Sequence, residues 1–239
     1  MTEIRPPKNA STIILVRPEI SGKFELFMTR RPAGMKFLGG YYVFPGGTVR
    51  KSDCSEEMLS RCHGLSRTEA QKILGGQLSP ELSLGHWVAG IRELFEEVGI
   101  FLCVDKNGRL LDLRQGKHKE RLAQKREALV EGSITFQVLL ESEGLYCDVG
   151  CPIFFYHRVT PESYPMRFDT RFYLAGMPSG QTPLSSSQEV AKSLWIAPEQ
   201  ALNQSQKGDF PIIPPTIYSL RTLAGFDSWQ SLCANYPLS

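Results

Sequence analysis

The sequence predicts an α/β sandwich, a mixed β-sheet covered by helices on both faces. Three observations carry this. β-prone runs open the chain and return late in it, at residues 10–16, 24–29, 153–159 and 170–175. Helical patterns lie between and after them, at 117–131, 198–206 and 214–223. Between the two groups of strands stands an amphipathic helix, with Trp87, Ile91, Leu94, Phe95 and Val98 as its apolar side and Gly99 as its stop. Strands flanked by helices before and after such a segment bury their surface best in layers.

Taken in order, 10–16 is a continuous apolar strand, and 24–29 alternates after the turn-forming Ser21-Gly22-Lys23, so the two form an antiparallel hairpin. A Gly- and cation-rich loop follows over 30–40. Tyr41-Tyr42-Val43-Phe44 is then a short buried strand stopped by Pro45-Gly46-Gly47, where paired glycines allow backbone to approach a ligand closely. Two short helices are expected at 56–62 and 67–74, the second opened by a capping box from Ser66 to Glu69. After the acidic helix come a strand at 101–104, a charged helix at 117–131 and a helix beginning at 134–140. The aromatic strands 153–159 and 170–175, a strand at 190–196 and two final helices, the last with its prolines at its start, complete the chain. We read residues 1–239 as one domain, with a helical insertion at about 54–84 and a second, mainly helical one at about 105–150.

Composition narrows the function. The chain is 41% apolar and 22% charged, as a soluble globular protein is, and its formal charge of +2 gives no broad footprint for nucleic acid. No run approaches the ~18 apolar residues that span a membrane, and the N-terminus lacks an apolar signal core, so a cytoplasmic location and no membrane partner are expected. The six cysteines form no C-x-x-C pair and are expected as free thiols. His63, His86 and His118 have no metal-like spacing, and His157, in an aromatic strand, is expected to be a hydrogen-bonded core histidine.

The chemistry concentrates in Arg92-Glu93-Leu94-Phe95-Glu96-Glu97-Val98-Gly99-Ile100. Its carboxylates at i, i+3 and i+4 share one narrow helix face, where like charges repel unless something gathers them. A solvated acidic surface helix is one explanation, and an oxygen site for a hard divalent cation is the other.

The flanking residues discriminate, because the segment matches, position for position, the second half of the Nudix box, R-E-U-x-E-E-x-G-U with U aliphatic. The first half, G-x5-E, is similar to Gly47-Thr48-Val49-Arg50-Lys51-Ser52-Asp53, with Asp in place of Glu. Thirty-eight residues separate Asp53 from Arg92, so about 31 are inserted relative to the family's spacing. The resemblance implies the Nudix α/β/α sandwich and Mg²⁺ or Mn²⁺ held by Glu93, Glu96 and Glu97, with Arg92 orienting Glu93 and Glu96. The general base in this fold often comes from a loop outside the box. Glu189 is the candidate there, against the alternative of an exposed loop acid, and Glu96 is the second choice.

A second resemblance precedes the box. Phe27-Met28-Thr29-Arg30-Arg31-Pro32-x3-Lys36-x3-Gly40-x3-Phe44-Pro45-Gly46-Gly47 is similar in register to the coenzyme A diphosphatase motif L-L-T-x-R-[SA]-x3-R-x3-G-x3-F-P-G-G. It departs at Phe27, Met28, Pro32 and Lys36, and Lys cannot reproduce a bidentate guanidinium contact. Arg30, Arg31, Lys36, Gly46 and Gly47 are thereby implied in substrate binding, against the alternative of a solvated basic loop. Arg167, Asp169 and Arg171 alternate onto one strand face, either as an ion-pair network or with Arg171 left to bind phosphate. Arg167-Phe168-Asp169-Thr170-Arg171-Phe172, with the insertion in the box, resembles the peroxisomal coenzyme A diphosphatase branch. The chain ends Asn235-Tyr236-Pro237-Leu238-Ser239 rather than in a Ser-Lys-Leu address, so that targeting does not carry over.

The function implied is metal-dependent hydrolysis of the diphosphate in coenzyme A or an acyl-coenzyme A to 3′,5′-ADP and (acyl-)4′-phosphopantetheine. ADP-ribose, a nucleotide sugar or a dinucleotide is the alternative substrate, and a catalytically silent nucleotide-binding module is the alternative class. The expected partner is thus a small nucleoside diphosphate derivative and not nucleic acid, with a homodimer left open.

Overall fold

Strand β1 (Lys8–Pro18) is the centre of the fold in the computed structural model, which describes residues 6–110 and 116–238. The expectations for residues 1–5 and for 111–115 within the second insertion lie outside the described residues. Ile13, Ile14, Leu15 and Val16 are all fully buried, which explains a continuous apolar run in place of alternation: this strand has protein on both faces. Strand β2 (Phe24–Arg30) turns back antiparallel to it, with Val16 opposite Leu26. Strand β3 (Tyr42–Val43) pairs β2. The glycines expected only to stop that strand themselves form β4 (Gly46–Thr48), antiparallel to β1 with Ser11 opposite Gly47.

Helix α3 (Pro80–Val98) starts where Ser79 accepts the Leu82 N–H at 3.1 Å, with Pro80 in its first turn, and ends at Gly99 in the left-handed region, φ 73°. Ser-Pro is a strong start signal, so the helix that carries the carboxylates begins at Pro80. Before it come α1 (Glu56–Leu59), β5 (Cys62–His63) and α2 (Arg67–Ile73), the last with the expected capping box of Ser66 and Glu69. After it, β6 (Cys103–Val104), α4 (Gly116–Val130), α5 (Phe136–Glu143) and β7 (Tyr146–Asp148) follow. β5, β7 and β6 build a small second sheet that the sequence did not announce. Strands of two or three residues carry no periodic signal, and Cys147 meets Cys62 and Cys103 only through tertiary structure.

Strand β8 (Ile153–Val159) pairs antiparallel with β9 (Phe168–Gly176), which runs parallel to β1 from Lys8 opposite Phe168 to Val16 opposite Gly176. Strand β10 (Lys192–Ile196) closes the other edge against β2, giving the order β10-β2-β1-β9-β8. Helices α6 (Pro198–Gln206), α7 (Pro214–Leu223) and the unforeseen α8 (Trp229–Asn235), capped by Ser228, complete the chain.

The period of two along β1 sorts the core into layers. Ile13 and Leu15 pack with Trp87, Ile91 and Leu94 of α3, while Ile14 and Val16 pack with Ala201, Leu220 and Leu232 of α6, α7 and α8. The result is the expected α/β/α sandwich on a mixed sheet. His157 departs from expectation in one respect: it does bond a partner, the Asp169 carboxylate, but β8 is an outer strand, so the ring is 42% exposed rather than in the core. Among the described residues no helix is long and apolar enough to cross a membrane.

Gly46 shows how tightly β4 is pressed on β1. A Cβ there would lie 2.4 Å from the Ser11 carbonyl oxygen and 2.7 Å from the Thr12 Cα, both backbone atoms that cannot step aside. Gly46→Ala is expected to destabilise the protein by about 1–3 kcal/mol, the range for overpacking. Urea unfolding checks this, and an unchanged midpoint would contradict the close approach.

Candidate active site

Arg92 is 1% exposed, and a buried guanidinium must have its five N–H donors satisfied. They are. Nε donates to Asp53 Oδ1 at 2.8 Å and Nη2 to Asp53 Oδ2 at 2.9 Å, a bidentate pair. Nη2 also donates to the Thr48 carbonyl at 3.0 Å, and Nη1 to Glu93 Oε1 at 2.8 Å and Glu96 Oε2 at 3.1 Å. These contacts hold its pKa above the usual guanidinium value despite burial. Asp53 sits on a 3₁₀ turn (Lys51–Cys54) and also accepts the Arg50 N–H at 2.8 Å. The turn that ends the first half-motif and the helix that carries the second are thus joined through one side chain.

That junction sets the glycine strand against the carboxylates. A Cβ on Gly47 would lie 2.5 Å from Glu93 Cδ, so only glycine lets β4 pass the Glu93 carboxylate this closely. Glu97, one turn further on, is 6% exposed and Glu96 8%. Arg50 takes both oxygens of Glu96, Nη1 to Oε1 at 2.8 Å and Nη2 to Oε2 at 2.9 Å.

The electrostatics are those of an over-filled anionic site. Burial pushes the Glu93 carboxyl above the usual range, opposed by Arg92 and reinforced by Glu96. Burial pushes Glu97 well above it, with Glu93 and Glu189 adding to the shift and Arg31 and the Gly46 backbone opposing it. Among the described residues, no three carboxylate, imidazole or thiolate groups converge as a ready-made metal cage. The reason here is that Arg50 and Arg92 draw Glu96 and one oxygen of Glu93 onto themselves. Glu97 has no such partner, and Glu93 Oε2 is left without a hydrogen bond among the described residues. Hard oxygen donors with charge in excess fit a divalent cation.

Two clefts meet at Arg50, Glu93 and Glu189. One, of about 430 Å³, runs over β4 and the even-numbered face of the sheet, past Arg31, Phe44, Phe168 and Thr216. The other, of about 370 Å³, exposes Glu93, Glu96 and Glu97 toward α4 and the loop carrying Ser187 and Glu189. Glu189 lines both clefts, 3.6 Å from Arg31, with its side chain 56% exposed on the loop. Gly46, Gly47 and Arg31 line the first cleft, and the Arg31 Nε is buried without a partner.

Other expectations need correction. Arg30 donates from Nε to the Gly40 carbonyl at 3.0 Å and lies over the Tyr42 ring, because neighbouring residues of a strand point oppositely, so it lines neither cleft. Lys36 is exposed on the loop and lines neither. Arg171 is not at the site: it is 5% exposed on the α3 face of β9, bonded to Asp169 at 2.6 Å and Asn9 at 3.4 Å, which is the ion-pair alternative. Arg50, Asp53 and Arg126 escaped the sequence reading as site residues. Arg50 and Asp53 stand inside the first half-motif, so their positions carried a signal; Arg126, on α4 and donating to the Glu96 carbonyl, carried none.

Residues 7–223 match the family model of the NUDT19 Nudix domain. The chain is 26% identical over 211 residues to putative nudix hydrolase 7 of Caenorhabditis elegans, covering 88% of this chain and 59% of that protein. It is 28% identical over 242 residues to acyl-coenzyme A diphosphatase NUDT19 of Gallus gallus, covering 87% and 63%. The chain thus spans about three fifths of the length of these curated relatives. Among solved structures, a NUDIX hydrolase from Alicyclobacillus acidocaldarius superposes with a TM-score of 0.81 at 26% identity, covering 99% of both chains.

The raised Glu93 and Glu97 pKa values have a consequence for stability. An acid whose folded pKa exceeds its unfolded one stabilises the fold at low pH, and that contribution is lost as pH rises through the folded value. Metal-free protein is therefore expected to lose stability as pH rises above the ordinary carboxylate range. Glu97→Gln should flatten that loss, raise the neutral-pH Tm by at least a few degrees and abolish turnover. Thermal unfolding across pH in the presence of a chelator checks it, and a Glu97→Gln protein with the wild-type pH profile would refute it.

Proposed function

This chain belongs to the NUDT19 Nudix domain family, and from that premise we propose that it is a divalent-metal-dependent diphosphohydrolase acting on coenzyme A or an acyl-coenzyme A. The products are 3′,5′-ADP and (acyl-)4′-phosphopantetheine. The observation that carries this reading is the meeting of buried, over-negative Glu93 and Glu97 with Arg31, a cleft guanidinium whose Nε lacks a partner. A diphosphate needs both: cationic contact for its oxygens, and carboxylates for the cation that neutralises it. Relatives in Gallus gallus and Xenopus laevis are named acyl-coenzyme A diphosphatases, which supports the substrate class.

Glu93 and Glu97, with Glu96 once released from Arg50, would hold Mg²⁺ or Mn²⁺, which supplies Lewis-acid neutralisation of phosphate charge and a more acidic water. The chain's own groups do the rest. Arg31 grips a phosphate of the substrate, and the aromatic wall of the first cleft, where Phe37 and Phe168 have ring centroids 5.3 Å apart, receives the base. A water oxygen bonds to phosphorus, the bridging P–O bond breaks, and the second phosphate leaves with the bridging oxygen. The water proton passes to a Glu189 carboxylate oxygen. Glu96 is the second candidate for this role, since both its oxygens already accept hydrogen bonds.

With Mg²⁺ or Mn²⁺, coenzyme A is expected to be cleaved with kcat/KM at least about tenfold above that for ADP-ribose, and chelation to stop turnover. One charge-assisted phosphate contact corresponds to about tenfold or more, so Arg31→Ala should lower kcat/KM by that factor. Mass spectrometry of the products decides. Faster cleavage of ADP-ribose than of coenzyme A would overturn the substrate, and turnover without metal would overturn the mechanism.

A further inference from the structure

The second cleft has a wall formed by α4, which takes no part in the hydrolysis proposed above. Helix α4 is anchored to the α3 layer through Leu122 and Leu129, both buried in the same core cluster as Leu94 and Phe95. This presents Arg126 and Val130, four residues apart, together with Glu127 and Glu131 to the cavity that exposes the active-site carboxylates. Arg126 makes a single hydrogen bond, Nη1 to the Glu96 carbonyl, and its Nε and Nη2 have no partner among the described residues. Arg50, the other cation lining this cavity, has both Nη atoms committed to Glu96.

We propose, resting on the diphosphohydrolase reading above, that Arg126 binds the substrate's second phosphate, and that the cleft beneath α4 takes the half of the substrate carrying no further phosphate. In coenzyme A that half is 4′-phosphopantetheine. Arg31 and Arg126 lie in cavities that meet at Glu93 and Glu189, so a diphosphate spanning the junction meets one guanidinium from each side. Glu127 and Glu131, which line the second cleft and not the first, give it an acidic rim that repels an additional phosphate and directs the 3′-phosphorylated nucleotide into the first. Val130, 42% exposed at that rim, suits a neutral alkyl amide chain.

The rival role for Arg126 is a structural staple on the last turn of α3, where a cation on a helix carbonyl is favourable in itself. Inhibition by the two products separates the roles. With full-length protein and coenzyme A as substrate, Arg126→Ala should weaken inhibition by 4′-phosphopantetheine about tenfold or more and leave that by 3′,5′-ADP within about twofold. Arg126→Lys should restore part of the loss. Glu131→Lys, at an exposed position, should instead tighten 4′-phosphopantetheine inhibition without moving that of 3′,5′-ADP, and it carries the test if Arg126→Ala fails to fold. Equal weakening of both products, or a lower Tm with both inhibition constants unchanged, would overturn the proposal. If wild type cleaves a different diphosphate compound, the coenzyme A reading fails and the same comparison runs with that compound's two monophosphate halves; if it cleaves none, both fall.

Discussion

The full coordination of the Arg92 guanidinium is the constraint on which the rest of the site depends. Five N–H donors reach Asp53, Thr48, Glu93 and Glu96, with none left for solvent or substrate. Burying such a charge is costly, and removing one partner of a buried ion pair typically costs about 3–5 kcal/mol. Its value lies in specification more than in net stability. The glycine strand, the 3₁₀ turn and α3 must all be in place for the five donors to be satisfied together, so the two half-motifs are held side by side across the 38 residues that separate Asp53 from Arg92.

From this follows the strained electrostatics beside it. Arg92 and Arg50 neutralise Glu96 and part of Glu93, while Glu97, one turn along and buried at the floor of the second cleft, keeps a carboxyl with no guanidinium of its own. The site is thus divided into a structural half, in which arginines satisfy carboxylates, and a reactive half, in which charge is left to be met by a cation and a phosphate. The glycines serve this division by proximity: at Gly46 the neighbour is backbone, at Gly47 it is the Glu93 carboxylate.

The segments that carry α1 with α2 and α4 with α5 find their place by the same packing logic. The first adds α1 and α2 to the α3 layer, and the Asp53–Arg92 pair ties the turn before α1 to the middle of α3. The second sends α4 over the open side of the acidic helix. Only the second borders a cleft: α4 walls the one that exposes the carboxylates, and the cleft over β4 is lined by the strands, the loops and the start of α7.

Local chemistry alone determined a good deal of this protein. The apolar run of β1, the turn before β2, the capping box of α2 and the spacing of Glu93, Glu96 and Glu97 on one helix face are all set by neighbours within a few residues. So is the tight glycine pair preceding the box. What only tertiary structure decided are the contacts made across long separations. Strand alternation showed that Asp169 and Arg171 share a face, but not that the face lies under α3, away from either cleft. Adjacency in sequence made Arg30 and Arg31 look like one cationic cluster, and strand geometry turns them to opposite sides. The small sheet of β5, β7 and β6 and the arrival of Arg126 at the Glu96 carbonyl leave no trace in local pattern, because long-range pairing is chosen by the cooperative packing of the whole core and not by the propensity of any one segment.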